Sequence, residues 1–328
     1  MPQSKTKVFT TVILLLAMIA ASATAQRIPG RQLLRRNPAD GHSQAGTQAG
    51  TQPATGVGSN PFLLIDYPGG IANQYPNSIN DSGKIVGQVI FADGSIKGYL
   101  LQGKTFKDIV YPGAPETAAF GINKSGLVVG VYCSDVDCNT SHGFSLKGKT
   151  YAALDFPGGM NTSPNSVNAA GDIAGYYQTP DFVAHGFLLR KGVYTSFDVP
   201  GASLTYAFGI NNQGIIVGGY GDPDGSGGGF ILQNGVFTRV DYPGASGTEV
   251  IGINDSGDMV GIYTDAGDNH NHGFLLSGGV FTGFDVPFPG SISTIPNNLN
   301  NHHQIVGSYG SYPPEADTDY FFGFLTTY

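Results

Sequence analysis

Three observations predict an all-β fold, a six-bladed β-propeller of four-stranded antiparallel blades. The first is a repeat: a Gly-Phe or Gly-Tyr pair recurs at Gly98, Gly143, Gly186, Gly229, Gly273 and Gly323, and an Asn with Gly seven residues later recurs at Asn80, Asn123, Asn168, Asn211, Asn254 and Asn300. A period of roughly 40 to 50 residues marks a solenoid, an array or a propeller. The second is the content of one period. Residues 207–211, 215–220, 229–233 and 236–242 are short runs rich in Val, Ile, Phe and Tyr, bounded by Gly, Pro, Asn or Asp. They read as four strands and no helix, which is one propeller blade. The third is an offset at the chain ends: residues 62–67 match the fourth strand of a copy, while the last copy stops after its third. Pairing of the N-terminal and C-terminal strands would then close the ring and leave no open seam.

Residues 1–25 read as a secretory signal peptide. Lys5 and Lys7 precede an apolar run too short to span a bilayer, and small residues follow, with cleavage expected after Ala25. An uncleaved anchor is the competing reading, and no Cys stands at the cleavage point for a lipid. Residues 26–60 carry a direct repeat over 44–52 and no periodicity. They are expected to be a disordered low-complexity linker, because such a segment has too little apolar surface to offset the entropy of ordering.

Residues 61–328 form the six-repeat domain, and their turns fit it. Residues 211–214 carry Asn first and Gly fourth, as a type I turn prefers, and residues 80–83, 123–126 and 254–257 repeat this. Asn234-Gly235, with Lys191-Gly192 and Gly278-Gly279 in the same place, reads as a two-residue hairpin. Pro200-Gly201, Pro68-Gly69, Pro112-Gly113, Pro157-Gly158 and Pro243-Gly244 suit type II turns. The recurring rings, Phe187, Tyr194, Phe208 and their equivalents, are expected to pack blade against blade. Cys133 and Cys138 are the only cysteines, and in an exported chain they imply a local disulfide clamping their loop. A metal site there would need two further ligands.

Charge narrows the partners. The linker has Arg27, Arg31, Arg35 and Arg36 against Asp40, net +3, whereas residues 61–328 have net −13. So acidic a domain argues against nucleic acid. An extracellular protein or glycan is the expected partner, and the mature chain is expected to be a monomer that does not span a membrane.

The candidate site is the set of loops between second and third strands, where the copies differ most in length and composition. Variable loops on a repeated scaffold are where binding is grafted. Their carboxylates are Asp135 and Asp137, Asp222 and Asp224, Asp265 and Asp268, and Asp317 and Asp319 with Glu315. Paired carboxylates on Gly-rich loops could hold calcium, and residues 222–228 fit best, although Asp and Gly are also ordinary turn residues. No other cofactor is implied. The six repeated Asn read better as turn openers than as a polar channel mouth. The repeated His142, His185 and His272 fall in separate blades, too far apart to share an ion, and are expected to cap turns.

The His-Gly-Phe triplets at residues 142–144, 185–187 and 272–274, each followed by a strand, a Gly turn, a Pro-Gly turn, an Ile-Asn element and a Val-Gly-Tyr element, resemble the bacterial extracellular repeats named HAF for a His-Ala-Phe motif. The resemblance covers all six copies, with Gly in place of Ala throughout and Lys97, Gly228 and Phe322 in place of His in three. It implies a location outside the cell and a repeat type, and carries no activity with it.

No nucleophile elbow, phosphate loop or dinucleotide fingerprint is present, and Trp is absent. The reading is therefore a secreted binding or interaction module working through the variable loops, with no catalytic residue assigned. The alternative is an extracellular lyase or glycosidase with an acidic site at the channel mouth, and an outer-membrane barrel ranks last, because the runs are shorter than barrel strands.

Overall fold

The computed structural model describes residues 61–69, 73–136, 138–268, 270–311 and 320–328. The expected leader and linker, with Asp137, Glu315, Asp317 and Asp319, lie outside the described residues.

The chain opens with β1 (Leu63–Ile65) and continues blade by blade. Blade one is β2 (Gln74–Ile79), β3 (Ile85–Ile90), β4 (Ile96–Gln102) and β5 (Thr105–Ile109). Blade two is β6 (Glu116–Ile122), β7 (Leu127–Cys133), β8 (Ser141–Lys147) and β9 (Thr150–Ala153). Blade three is β10 (Met160–Val167), β11 (Ile173–Gln178), β12 (Ala184–Arg190) and β13 (Val193–Phe197). Blade four is β14 (Leu204–Ile210), β15 (Ile216–Gly221), β16 (Gly227–Gln233) and β17 (Val236–Val240). Blade five is β18 (Gly247–Ile253), β19 (Met259–Thr264), β20 (Asn271–Ser277) and β21 (Val280–Phe284). Blade six takes β22 (Ser291–Leu299), β23 (Gln304–Ser311) and β24 (Tyr320–Thr327) from the C-terminus and β1 from the N-terminus, in the order β1-β24-β23-β22. The expected six-bladed propeller is thus present, closed by the expected strand exchange, with Leu64 opposite Phe324. Among the described residues no helix is long and apolar enough to cross a membrane.

The core lies between blades. Val86 and Ile109 of blade one pack with Ala119, Ile122, Val128 and Phe144 of blade two, and the other seams repeat this. The Gly of each second strand follows from this packing. A Cβ on Gly218 would stand 1.9 Å from the Tyr206 carbonyl oxygen and 2.7 Å from the Phe230 ring, and one on Gly261 would be as close to Glu249 and Phe274. The buried Phe of the third strand lies over that glycine, so the two recur together. Every innermost strand also breaks register at an equivalent point, at Pro76/Ser78, Ala119/Gly121, Pro164/Ser166, Ala207/Gly209, Val250/Gly252 and Pro296/Asn298, and β10 and β22 break it a second time nearer their starts. At a bulge a missing N–H does no harm, which is how three of the six strands carry Pro there.

Candidate functional site

Strand direction gives the disc two faces. The Asn turns and the two-residue hairpins share one, here the turn face. The loops between second and third strands and the Pro-Gly loops share the other, the loop face.

On the turn face each repeated Asn has two tasks. Its Oδ1 accepts from its own turn, as Asn211 does from the N–H groups of Gln213 and Ile215. Its Nδ2 donates to the carbonyl of the next blade's Asn, from Asn80 round to Asn300 and back to Asn80, over 2.8 to 3.4 Å. Outside this ring, Asn212 donates to Asp255 and Asn301 to Asp81 and Asp255. A cavity of about 80 Å³ opens at this mouth. Its amides and carboxylates are engaged with one another, so the ring is a fastening between blades, and the turn reading of the Asn residues accounts for half of their work.

On the loop face a second fastening repeats six times. In the stretch entering each Pro-Gly loop, one backbone N–H, that of the residue after an Asp in five blades and after Val110 in the other, donates to a side chain on the next innermost strand. Tyr111, Phe156, Val199, Tyr242 and Val286 donate to Thr117, Thr162, Thr205, Thr248 and Thr294, and Tyr67 donates to Gln74. Three of these ring residues also stack flat on the next blade: Tyr111 on Tyr132, Phe156 on Tyr177 and Tyr242 on Tyr263, each at 3.7 Å. His142, His185 and His272 cap these stacks from the far side. Their Nδ1 atoms lie 3.0, 2.9 and 2.8 Å from the carboxylates of Asp155, Asp198 and Asp285. These histidines therefore do not cap turns as expected; each pairs with a carboxylate thirteen residues on, which sequence spacing within one strand could not show. Where His is missing the pairing is replaced: Lys97 meets Asp108, and Arg239 meets Asp241 in the space left by Gly228. Phe322 instead stacks on Tyr309. Burial works against a charge on His272, but Asp285 and Asp268, one at each ring nitrogen, hold its pKa above the usual value.

The loop carboxylates named in the sequence are spread over separate blades. Asp135 is exposed beside the Cys133–Cys138 disulfide. Asp224 accepts from the hydroxyl and the N–H of Ser226, which hold its pKa below the usual range, and the Ser226 hydroxyl also reaches Asp222. Asp265 accepts from the Gly267 N–H. Asp268 accepts from the His270 N–H and lies at His272 Nε2. The residues 222–228 loop is thus closed on its own donors. Among the described residues the one trio of metal-type donors close enough to share an ion is Glu116, Cys133 and Cys138, and its two sulfurs are bonded to each other.

The faces differ sharply in charge. The loop face presents Asp66, Asp93, Asp108, Asp135, Asp155, Asp181, Asp198, Asp222, Asp224, Asp241, Asp265, Asp268 and Asp285; its Lys97 and Arg239 are paired within it, and Lys107 is exposed in the middle of β5, between the faces. The turn face carries Lys84, Lys104, Lys124, Lys147, Lys149, Arg190 and Lys191 against Asp81, Asp172, Asp255 and Asp258. Net charge alone had shown acidity but not its direction.

One carboxylate stands apart. Glu249 on β18 is 5% exposed, packs over Gly219 of blade four, and neither oxygen has a hydrogen-bond partner. Burial alone pushes it up to about 8. Sequence reasoning missed it because its equivalents, Tyr75, Ala118, Ser163, Tyr206 and Ile295, have no common character.

No family model matches this chain, and no curated protein does. Among solved structures it is similar to a mutant of AofleA from Arthrobotrys oligospora, with TM-score 0.51, 14% identity, and coverage of 82% of this chain and 87% of the other. It is similar to TolB from Acinetobacter baumannii, with TM-score 0.53 and 13% identity over 75% of this chain and 64% of TolB, so it spans less than two thirds of that protein. A fucose-specific lectin from Aleuria aurantia gives TM-score 0.42 at 13% identity, over 69% of this chain and 78% of the lectin. Identities this low speak for the fold alone.

Proposed function

We propose that the protein is an extracellular binding module whose loop face receives a cationic partner. The observation that carries this reading is the segregation of charge between the faces: exposed carboxylates collect on the loop face, and most of the cations collect on the turn face. Such a field draws in a partner of opposite charge and orients it on approach. The leader-like start and the HAF-type repeats support a place outside the cell.

The test is binding of the mature chain to a lysine homopolymer, to calcium and to neutral oligosaccharides across a salt series. The expected result is binding to the polymer that weakens with salt. It should be lost when Asp181, Asp222, Asp224 and Asp265 become Asn, and kept when Asp81 and Asp255 do. Salt-independent binding to an oligosaccharide would instead favour a glycan, a reading supported by the three equivalent His–Asp pairs on aromatic stacks at separate seams. The enzyme alternative asks for convergent carboxylates, and Glu249 is raised by burial alone.

A further inference from the structure

We infer that Phe182 is the apolar anchor of the loop face, and that the partner is a polypeptide segment presenting Lys or Arg side chains around an apolar residue. This rests on the binding reading above and names its partner. Three loops on this face close in the same way. The first residue donates its N–H to the carbonyl of the fifth and accepts from the N–H of the fourth, as between Phe91, Gly94 and Ser95, between Thr179, Phe182 and Val183, and between Asp222, Gly225 and Ser226. The fourth residue is left-handed in all three, with φ of 84° at Gly94, 63° at Phe182 and 86° at Gly225. Two of the loops put Gly there, as the conformation asks, and the third puts a bulky ring.

Folding does not account for that ring. The backbone disfavours it, and it is 63% exposed, so little of its surface leaves water on folding. Among the described residues it makes no ring contact. A residue that the backbone resists and the core does not use fits a contact made outside the chain. Val136, 81% exposed, stands on the corresponding loop of the neighbouring blade, so the apolar surface is not confined to one side chain. Aromatic anchors carry much of the energy of protein interfaces. Asp181 precedes Phe182 and Asp135 precedes Val136 in the chain, all four exposed, so each apolar side chain is flanked by a negative charge. A neutral glycan gains nothing from that field and a bare cation gains nothing from the ring, whereas a basic peptide with an apolar side chain uses both.

The test uses the full mature chain and its Phe182→Gly and Phe182→Leu variants. The probes are a Lys-Leu peptide, a Lys-Gly peptide of equal charge and length, and a neutral oligosaccharide. Phe182→Gly is expected to raise the thermal midpoint by about 2 °C, since the sister loops are built with Gly there. It is also expected to weaken the Lys-Leu peptide about tenfold and leave the Lys-Gly peptide unchanged, with Phe182→Leu in between. Unchanged affinity for the Lys-Leu peptide, equal loss of both peptides, a lowered midpoint, or an oligosaccharide that depends on Phe182 overturns the anchor while leaving the acidic face to be judged by the Lys-Gly peptide. If neither peptide binds the parent chain, the cationic-partner reading falls with it.

Discussion

The turn face and the loop face are made from the same repeat, yet one is nearly uniform from blade to blade and the other is not. On the turn face every Asn must reach the next blade's carbonyl, a demand that arises six times and has one solution. On the loop face the six-fold demand ends at the acceptor that holds each Pro-Gly loop, and Gln74 meets it as well as Thr does. Beyond that acceptor the loops are free, and there the charge and Phe182 appear. Uniformity within this chain marks bonds between blades; variation marks surface released from that duty.

Substitutions can break or sharpen the contrast. The largest effect is expected within one strand: Gly218→Ala puts a Cβ into the Tyr206 carbonyl, while the same change at Gly221, where the nearest atom is 3.8 Å away, meets ordinary contact. Urea unfolding should show a loss of more than ~4 kcal/mol for the first and almost none for the second. Equal effects would contradict the packing described.

Next is pH. The Glu249 carboxyl has a folded value of about 8 against 4.5 when exposed, so between those values the folded state holds a proton that the unfolded state has released. Stability from this group is fully present below pH 4.5, falls as pH rises through 8, and is flat above. The full change is roughly 5 kcal/mol at ~1.4 kcal/mol per unit. Glu249→Gln should lack that slope, so the difference between the parent and variant stability curves should carry it, with Tyr206 and Tyr176, titratable groups nearby, still neutral in this window. Superimposable pH profiles for parent and variant would sink the assignment.

Smaller effects compare the two fastenings. Asn211→Ala removes a turn acceptor and a donor between blades and is expected to cost ~2 kcal/mol, whereas Thr205→Val removes one acceptor and should cost ~1 kcal/mol. If Thr205 proved the costlier, the loop face would be the more tightly held. Smallest is Tyr99→Phe. The Tyr99 hydroxyl is buried without a partner, where the equivalent third-strand position carries Phe in every other blade. Its removal should leave the chain as stable or up to ~1 kcal/mol more so, read as a shift in urea midpoint at unchanged slope.

The fold was legible because its causes are local and repeated. The Asn–Gly turns, the Gly under each buried ring and the offset ends all lie in short stretches that can be aligned with one another. The acidic loops were legible as loops, with Asp222, Asp224, Asp265 and Asp268 all placed on the loop face. Their chemistry was not, because whether Asp224 faces solvent or Ser226 depends on a turn's hydrogen bonds. The histidines were misread for a related reason: His142 lies on β8 and Asp155 just past the end of β9, and the two meet only once those strands are paired. Glu249 and Phe182 were passed over because each departs from the pattern of its equivalents, and a search for repeats sets departures aside.

The strand exchange that completes blade six has a kinetic consequence. Every other blade joins strands adjacent in sequence, but Leu63–Ile65 has no partner until Tyr320–Thr327 exists. Whichever end is made first must wait for nearly the whole chain, so closure rests on contacts of very long sequence separation, this strand pairing and the Asn300–Asn80 link among them, the kind that slows folding most. The ring is therefore expected to assemble quickly as an open arc and to lock in a separate, slower event. Until then the free edge of β24 is a surface on which another copy's first strand could settle.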